Sequence, residues 1–583
     1  MRAIDIIPVA RGTVPADLLI KNARVVNVFS GEIEETNVAI YRKRIAGLGD
    51  YRDGKRIMDL KGKYLVPGLI NAHLHIESTM LEPREFAKAV LSRGTTTVIA
   101  DPHEIANVTG LDGVDFFLKY TEGVPLNIYF MLPSCVPATP FETNGAFVKV
   151  MDMIGFIEKH PRVLGLGEVM NYPGVLNQNE ELLTMIELFR HKYKKIDGHA
   201  PGLSGRDLDA YAAAFIKSDH ESTTAAEARE KLSKGMQVLM RYGSGEKDLE
   251  NLLEIVSEKT QPFISYCTDD KHPEDIVKGD IDEMVKITIN RGIDPITAIR
   301  IGSINTARHY GLRSMGAIAP GYKADMLVVE DLNDFFPETV IKDAKVVAEH
   351  GECIADFPLP TVELRSVENT VHCPFFESGD FKFNYRDASE ASIRSINVSG
   401  SFVLTGEKHF DVEIKNGEPD LTGIETAKVC VVNRYSQTKQ YALGFVSGTG
   451  MKRGAIALSV GHDAHNISVT GKSDEDMAVA FNDVVKHKGG MSVALDGAIV
   501  ASLPLPVAGL MSDLPLHDVI EKEGLLQKAS KEKLGCTLKN PFMALSFIQL
   551  EVIPKLKITN KGLINTETFE FVPPIFKHEK TEE

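Results

Sequence analysis

The stretch VPGLINAHLHIEST, residues 66–79, holds a short apolar run that leads directly into the motif His73-Leu74-His75. Residues i and i+2 of a β-strand point to the same face, so the end of such a strand presents both imidazoles to one point. Imidazole is a common ligand of zinc, iron and other transition metals. An isolated pair of this kind fits a surface or core coincidence equally well, so its meaning depends on the rest of the chain.

Seven further apolar runs follow, and most of them end in polar or ionisable residues. The eight runs are YLVPGLI (64–70), TTTVIA (95–100), LNIYFML (126–132), VLGLG (163–167), KKID (194–197), FIKS (215–218), MQVLM (236–240) and FISYC (263–267). Amphipathic segments at 83–94, 179–192 and 249–259 lie between some of them and predict helices. Eight alternations over about 245 residues match a (β/α)8 barrel, although an open doubly wound sheet also alternates. The count of eight, with reactive residues at the strand ends, favours the barrel.

Ionisable side chains at these strand ends form the candidate metal-ligand set: His73, His75, Glu168, His199, His220 and Asp269. Their order predicts that they converge on the barrel mouth and hold two divalent cations. The first two imidazoles and the aspartate would hold one cation, the last two imidazoles the other, and Glu168 would bridge. A water shared by two cations loses a proton near neutral pH. The alternative for any single histidine is that it caps a strand or bonds a backbone carbonyl.

Composition narrows the class of protein. The chain has 583 residues, of which 43% are hydrophobic and 25% charged, as expected of a large globular protein. Its formal charge of −16 argues against binding to nucleic acid or to an anionic membrane. None of the six cysteines is spaced C-x-x-C, which argues against a disulfide scaffold and indicates a reducing compartment. With neither a signal-peptide pattern nor a long apolar run, a cytoplasmic protein without membrane spans is predicted.

The segments that flank the barrel are rich in β-strand patterns. Residues 17–50 and 321–351 share this character, and we expect them to pair into one small β domain that the barrel interrupts. The last part of the chain reads as a further α/β domain, with a helix at 474–489 and strands KVCVVNR, AIALSV, ISVTG and MSVALDGAIVASL. The predicted divisions are 1–66 and 313–372 for the small β domain, 67–312 for the barrel and 373–583 for the C-terminal domain.

Several longer motifs extend from about residue 60 to residue 515: VPGLINAHLHIESTM, DPHEIANV, GEVMNYPGV, DGHAPGLSG, TDD, PGYKADMLVV, GHDAHN and LPLPVAGLMS. Together they resemble the amidohydrolase superfamily and, more narrowly, the adenine deaminases of bacteria and archaea. The resemblance implies an α/β fold, namely a metal-dependent (β/α)8 barrel with a small β-sandwich built from both flanks. It also implies an extra C-terminal α/β domain, which ordinary barrel hydrolases lack.

The resemblance further implies hydrolytic deamination of adenine to hypoxanthine and ammonia, a step of purine salvage. It implies two divalent metal ions, Mn²⁺ or Fe²⁺ more readily than zinc, held by the six residues above. It also implies a small purine base as the only kind of partner besides a homo-oligomeric assembly, a dimer or larger.

The fourth strand end separates this family from its relatives. Dihydroorotase- and hydantoinase-like enzymes bridge their metals with a carboxylated lysine there, whereas this chain has GLGEVMN, so Glu168 must bridge. That counts against the alternative of a cyclic amide hydrolase. A deaminase of a modified adenine remains a second alternative.

Chemistry assigns further roles around the metal ligands. Asp269, beside the attacking hydroxide, would accept its proton and then deliver it, as general base and then acid. Glu104 is the candidate acid near ring N1 of the purine, and His103 is a further catalytic candidate. Asp101 is a substrate-binding candidate at the same strand end. The alternative for these three is support of the metal ligands.

Five more residues have more than one open interpretation. Asp270, which adjoins Asp269, is a substrate-binding candidate, and the opposite register would turn it toward the metals instead. Arg241 and Ser244 follow the seventh run and either bond the purine edge or belong to a salt bridge at the barrel rim. In the motif GHDAHN (461–466), the histidines either form part of a lid over the mouth or cap a turn.

Overall fold

Eight parallel strands form the barrel that the apolar runs predicted. The computed structural model describes residues 2–398 and 404–577, and its barrel strands are Leu69–Leu74, Thr95–Ala100, Asn127–Leu132, Val163–Val169, Lys195–Gly198, Ser218–Asp219, Gln237–Arg241 and Ile264–Cys267. The first five pair in order, and so do the last three. Two contacts join these groups: Lys217 N–H donates to Ile196 O at 3.1 Å, and Asp269 N–H donates to His73 O at 3.1 Å. The sheet therefore closes on itself.

Helices surround the strands: Pro83–Ser92, His103–Thr109, Leu111–Tyr120, Val150–Lys159, Tyr172–Leu176, Glu180–His191, Gly205–Ala213, Ala225–Ser233, Leu249–Leu252, Pro273–Ile276, Ile281–Asn290, Pro295–Arg300 and Thr306–His309. The helix expected over 249–259 stops at Leu252, and one 3-10 turn follows it. Ser257 and Thr260 each accept the other's backbone N–H through a side-chain hydroxyl, which competes with helical bonding. Within the described ranges, no helix has the length and apolar character needed to cross a membrane.

The two flanks pair into one small β domain, as expected. Its strands are Leu18–Asn27, Glu32–Tyr41, Arg44–Gly49, Ile57–Asp59, Tyr64–Pro67, Met326–Val329, Pro337–Lys342, Lys345–Glu349 and Glu352–Cys353, with helix Ala3–Ala10 packed against them. The junction is an antiparallel pairing in which Leu65 lies opposite Val328. Both side chains belong to one apolar cluster with Ile40 and Ile341, so a common core joins the flanks as well as hydrogen bonds.

A second large sheet forms the C-terminal domain. Its strands are, in spatial order, Glu418–Pro419, Gly406–Lys415, Glu390–Asn397, Tyr441–Ser447, Thr426–Val432, Ile467–Gly471, Ala455–Leu458, Gly490–Leu495 and Ala498–Pro504, and Ile575–Phe576 pairs with Glu390–Asn397. Helices Asp474–Lys486, Leu516–Lys528 and Pro541–Ser546 accompany it, with a small sheet of Leu556–Thr559, Gly562–Asn565 and Glu570–Val572. The predicted strand MSVALDGAIVASL is in fact a hairpin. Asp496 and Gly497 both have positive φ, 53° and 74°, as a tight two-residue turn requires.

The loop after the third barrel strand attaches the C-terminal domain to the barrel. Thr143 N–H donates to Asn560 Oδ1 at 2.9 Å, and Thr139 Oγ1 donates to Glu551 Oε1 at 3.1 Å. Glu142 Oε1 accepts the N–H of Ala464 at 3.2 Å. The loop therefore holds two separate segments of the C-terminal domain over the mouth of the barrel.

Two glycine-to-alanine substitutions test the hairpin turn. Gly497→Ala places a Cβ at φ 74°, 3.2 Å from Glu475 Oε1, and we expect it to cost about 1–2 kcal/mol. Gly524→Ala, at an exposed position of helix Leu516–Lys528 with open space around it, should stabilise by about 0.5–1 kcal/mol. Thermal unfolding of the full chain should therefore show midpoints shifted in opposite directions. A lower midpoint for both variants would contradict the assignment of these two backbones.

The buried acids Glu142 and Glu551 make the attachment of the C-terminal domain sensitive to pH. Burial raises the pKa of Glu551 from 4.5 to about 8, and burial beside Glu551 and Asp463 raises that of Glu142 well above its usual value. A carboxyl group with a raised folded-state pKa stabilises at low pH, and this contribution is lost as pH rises through about 8. Glu551→Gln stays neutral, so its unfolding midpoint should fall less than that of the unsubstituted protein between about pH 6 and pH 8.5. Equal pH dependence of the two would contradict this account.

Candidate metal centre

Glu168 lies at the centre of the barrel mouth, with its two carboxylate oxygens facing different imidazoles. Oε1 is 3.4 Å from His75 Nε2. Oε2 is 2.7 Å from His199 Nδ1 and 3.3 Å from His220 Nε2. A carboxylate placed in this way can contribute one oxygen to each of two cations, which is the bridging arrangement expected from the sequence.

Asp269 faces the histidine pair of the first strand. Its Oδ1 is 3.1 Å from His75 Nε2 and 3.7 Å from His73 Nε2. His75 is oriented by a 2.8 Å contact between Nδ1 and the carbonyl of Asp101, which turns Nε2 toward the acids. The ring of His73 stacks on that of His220, with centroids 4.1 Å apart. All six predicted ligands are therefore brought together at one place.

The donor atoms lie close enough together to hold a cation in more than one combination. Ligand atoms of His73, His75 and Asp269 lie within 4.8 Å of one another, and so do those of His73, Glu168 and His220. The buried Nε2 of His73 has no hydrogen-bond partner among the described residues. A buried nitrogen that lacks a hydrogen-bond partner and faces carboxylates is suited to act as a metal ligand.

The backbone, and not strand alternation, decides between Asp269 and Asp270. The eighth strand ends at Cys267, and Asp269 has a left-handed φ of 55°, which aspartate tolerates better than most residues. Asn71 holds this segment, because its Oδ1 accepts the N–H of Thr268 at 3.2 Å. Asp270 also lines the cavity, and its carboxylate contacts the hydroxyl of Ser78. Sequence reasoning did not single out Asn71, and its position just before the H-x-H motif is the one signal that could have found it.

Electrostatics favour charged acids at the centre. Burial alone would raise the pKa of Glu168, but His199 and His220 hold it well below its usual range. Burial opposes the ionisation of Asp269 too, yet the adjacent imidazoles of His73 and His75 hold its pKa well below the usual range. The pKa of His220 would fall on burial, but Glu168 raises it to about 9. Two anionic carboxylates are thus available, and bound cations would take the place of the imidazole protons.

His103, Glu104 and Asp101 follow the second strand and differ in what they contact. His103 and Glu104 line the cavity above the centre. His103 Nδ1 is 3.3 Å from Glu168 Oε1, and Glu104 Oε1 accepts the hydroxyl of Ser78 at 2.7 Å. Asp101 is not among the residues lining the cavity, and its Oδ2 accepts the N–H of Glu168 at 2.8 Å. Asp101 therefore orients the bridging acid.

Arg241 is bound by acids on several sides. Its Nη1 donates to Asp269 Oδ2 at 3.0 Å and to Glu221, and its Nη2 donates to Asp248 at 3.0 Å. These contacts form the salt bridge that was one of the two interpretations, and they fix Asp269. Arg241 also lines the cavity, so its predicted contact with the purine edge stays a prediction. Ser244 is not among the cavity-lining residues, and its hydroxyl donates to Asp275 at 2.6 Å.

Glu221 is a residue that sequence reasoning missed. Its Oε1 is 3.5 Å from His220 Nε2 and 3.8 Å from His199 Nδ1, and it lines the cavity. Its only signal in the sequence is that it directly follows His220.

A cavity of about 440 Å³ opens above the centre, and both domains line it. The C-terminal domain contributes His462 and Asp463 from the GHDAHN motif, together with apolar side chains near Phe547. His465 is not among the lining residues; it is fully buried, and its Nδ1 accepts the N–H of Gly461 at 3.3 Å. Only the first histidine of the motif therefore reaches the site.

The fold and this centre define a barrel hydrolase of the amidohydrolase class. The family model described as Amidohydrolase family matches residues 64–347, and that class is metal-dependent. The model described as Adenine deaminase C-terminal domain matches residues 402–570.

Curated relatives narrow the class further. The adenine deaminase of Kosmotoga olearia is 58% identical over 98% of this chain and 99% of its own length. Those of Thermosipho melanesiensis and Methanothrix thermoacetophila are 48% and 44% identical, again over 98% of this chain and 99% of their own lengths. The chain belongs to the adenine deaminase family.

Loss of one imidazole tests the assignment of ligands. We expect His220→Ala, reconstituted with Mn²⁺, to retain less than about half of the metal bound by the unsubstituted protein, because it removes a ligand and its contact with Glu168. His191→Ala is the matched control, since that side chain is 72% exposed at the end of helix Glu180–His191. Metal per chain is measured by mass spectrometry. Equal metal in both variants would remove His220 from the ligand set.

Proposed function

We propose that the chain hydrolyses adenine to hypoxanthine and ammonia at this centre. The proposal rests on the carboxylate of Glu168, whose two oxygens face different imidazoles. One oxygen faces His75, and the other faces His199 and His220. Family membership supplies the substrate, a small purine base. The cavity of about 440 Å³ lies within the usual range of small-molecule sites.

Two divalent cations, Mn²⁺ or Fe²⁺, are the proposed cofactors. The ligand set contains only imidazoles and carboxylates, a mixture that suits these ions better than a thiolate-rich site would. His73, His75 and Asp269 would hold one ion, and His199 and His220 the other, with Glu168 shared. When bound, the pair would lower the pKa of a water so that it attacks carbon at neutral pH.

Side chains of this protein would accept and donate the protons that the reaction transfers. Replacement of the amino group at C6 adds one water oxygen and releases ammonia, so protons must reach ring N1 and the departing nitrogen. Asp269 is anionic and fixed by Arg241, so its Oδ1 can accept a proton from the attacking water and pass it to the leaving amine. Glu104 is the proposed donor at N1, since one of its buried oxygens, Oε2, lacks a hydrogen-bond partner among the described residues.

His103 would act on the same acids. Its Nδ1 lies 3.3 Å from the bridging Glu168 and 3.7 Å from Asp101. Burial and the neighbouring His75 would lower the pKa of His103, but Asp101, followed by Asp463 and Glu168, raises it to about 10, so the ring stays cationic near neutral pH. A cationic imidazole beside C6 would stabilise negative charge that develops on the attacking oxygen.

The observed centre argues against the cyclic amide alternative. That chemistry in related barrels uses a carboxylated lysine as the bridge, and the lining residues of this cavity include no lysine. Modified adenines are also to be assayed as substrates, because the shape of the pocket, and not the metal centre, selects among purines.

Turnover of small bases with Mn²⁺- or Fe²⁺-loaded protein tests the function. The absorbance spectrum of adenine should change to that of hypoxanthine, with release of ammonia. The rings of dihydroorotate and hydantoin should not be hydrolysed. Ring opening of either amide without deamination of adenine would overturn the proposal.

Paired substitutions test the role of Asp269. Asp269→Asn removes the proton acceptor, so we expect kcat to fall by about 10²–10⁴-fold. Asp270→Asn should cost much less, because that side chain faces Ser78. Steady-state kinetics at equal metal content makes the comparison, and a greater loss in Asp270→Asn would exchange the two roles.

A further inference from the structure

The cavity above the metal centre has two unlike walls. The barrel supplies a polar wall of imidazoles and carboxylates. The C-terminal domain of the same chain supplies the opposite wall, which is largely apolar and includes Met543, Phe547, Leu550 and Val552. A ring that presents one edge to the centre can therefore pack part of its remaining surface against the C-terminal domain.

Two flat side chains stand in this second wall. The rings of His462 and Phe547 are stacked, with centroids 4.4 Å apart and planes inclined by 11°. Both line the cavity, yet only 8% and 7% of their surfaces are exposed. His462 Nδ1 is 3.9 Å from Glu104 Oε1, so the stacked pair adjoins the acid proposed for ring N1.

The segment that carries His462 is held on both sides. Its N–H donates to Ser546 O at 3.1 Å, within the C-terminal domain. Two residues later, the N–H of Ala464 donates to Glu142 of the barrel at 3.2 Å. A ring fixed in this way loses little conformational freedom when a ligand packs against it, which favours binding.

We propose that His462 is a substrate-binding residue and that the His462–Phe547 stack selects flat aromatic bases. The inference rests on the proposed deaminase function and adds a part of the site that the barrel does not contain. A planar purine packs closely against stacked rings, as bases do against aromatic side chains. A dihydropyrimidine ring, which has two saturated carbons, is puckered and cannot make the same contact. The C-terminal domain thereby disfavours dihydropyrimidine substrates.

Kinetics of substituted holoenzymes test the stack. His462→Ala should raise KM for adenine by about tenfold, the usual size of one base–aromatic contact. kcat should stay within about threefold, because stacking is equally strong before and during the reaction. His462→Phe keeps a flat ring and should restore KM to within about threefold of the unsubstituted value. His517→Ala, 80% exposed, is the matched control and should leave both parameters unchanged.

Binding to metal-free protein gives a second readout. Calorimetry with adenine and with dihydrouracil, a puckered ring, should show a preference for adenine that His462→Ala reduces by the same factor as it raises KM. If the metal-loaded protein deaminates adenine but His462→Ala changes neither KM nor binding, the stack is not a binding element while the proposed function stands. If no adenine is deaminated, that function fails and calorimetry still decides the stack. If His462→Ala does not fold, His462→Phe provides the test. A KM or an affinity for adenine that departs from the unsubstituted value in His462→Phe would then overturn the proposal.

Discussion

The mouth of the barrel depends on one electrostatic constraint, the burial of two carboxylates among four imidazoles. Charges removed from water are tolerated only when partners surround them. Glu168 and Asp269 meet this condition by each facing at least two imidazole nitrogens within 3.7 Å. Five separate strand ends must supply the six side chains, so the closed barrel is a precondition of the centre. The surrounding bonds, such as that from Arg241 to Asp269, fix the acids in this arrangement.

Local patterning was enough to predict the barrel. Seven of the eight apolar runs lie largely within strands, because they are short, mostly buried and followed by residues that cannot continue into the core. The run FIKS is the exception, since only Ser218 lies in a strand and Phe215 is exposed. Residues 64–67 of the first run form a strand of the small β domain. The hairpin at Asp496-Gly497 was not predicted, because its segment was assigned as one strand from its apolar character alone. The turn signal was present in the sequence, but a continuous run of small and apolar residues concealed it.

The ligand set followed from its order along the barrel, whereas the supporting contacts did not. Asn71 bonds Thr268 across 197 positions of sequence, and no local pattern encodes such a pairing. The left-handed conformation of Asp269 is likewise a product of the closed barrel seam. The arrangement of the C-terminal domain over the mouth rests on contacts between distant segments, so the sequence could suggest a lid without saying which histidine would reach the site.

The loop after the third barrel strand has a consequence for biosynthesis. Thr143 and its partner Asn560 are 417 positions apart. At a translation rate of about 5–20 residues per second, this loop waits on the order of 20 to 80 s for its docking surface to leave the ribosome. During that interval the acids and imidazoles of the nascent barrel are exposed to solvent, because the C-terminal domain does not yet cover them. Metal ions can therefore reach these side chains before the polypeptide is complete, and the cavity between the barrel and the C-terminal domain forms last.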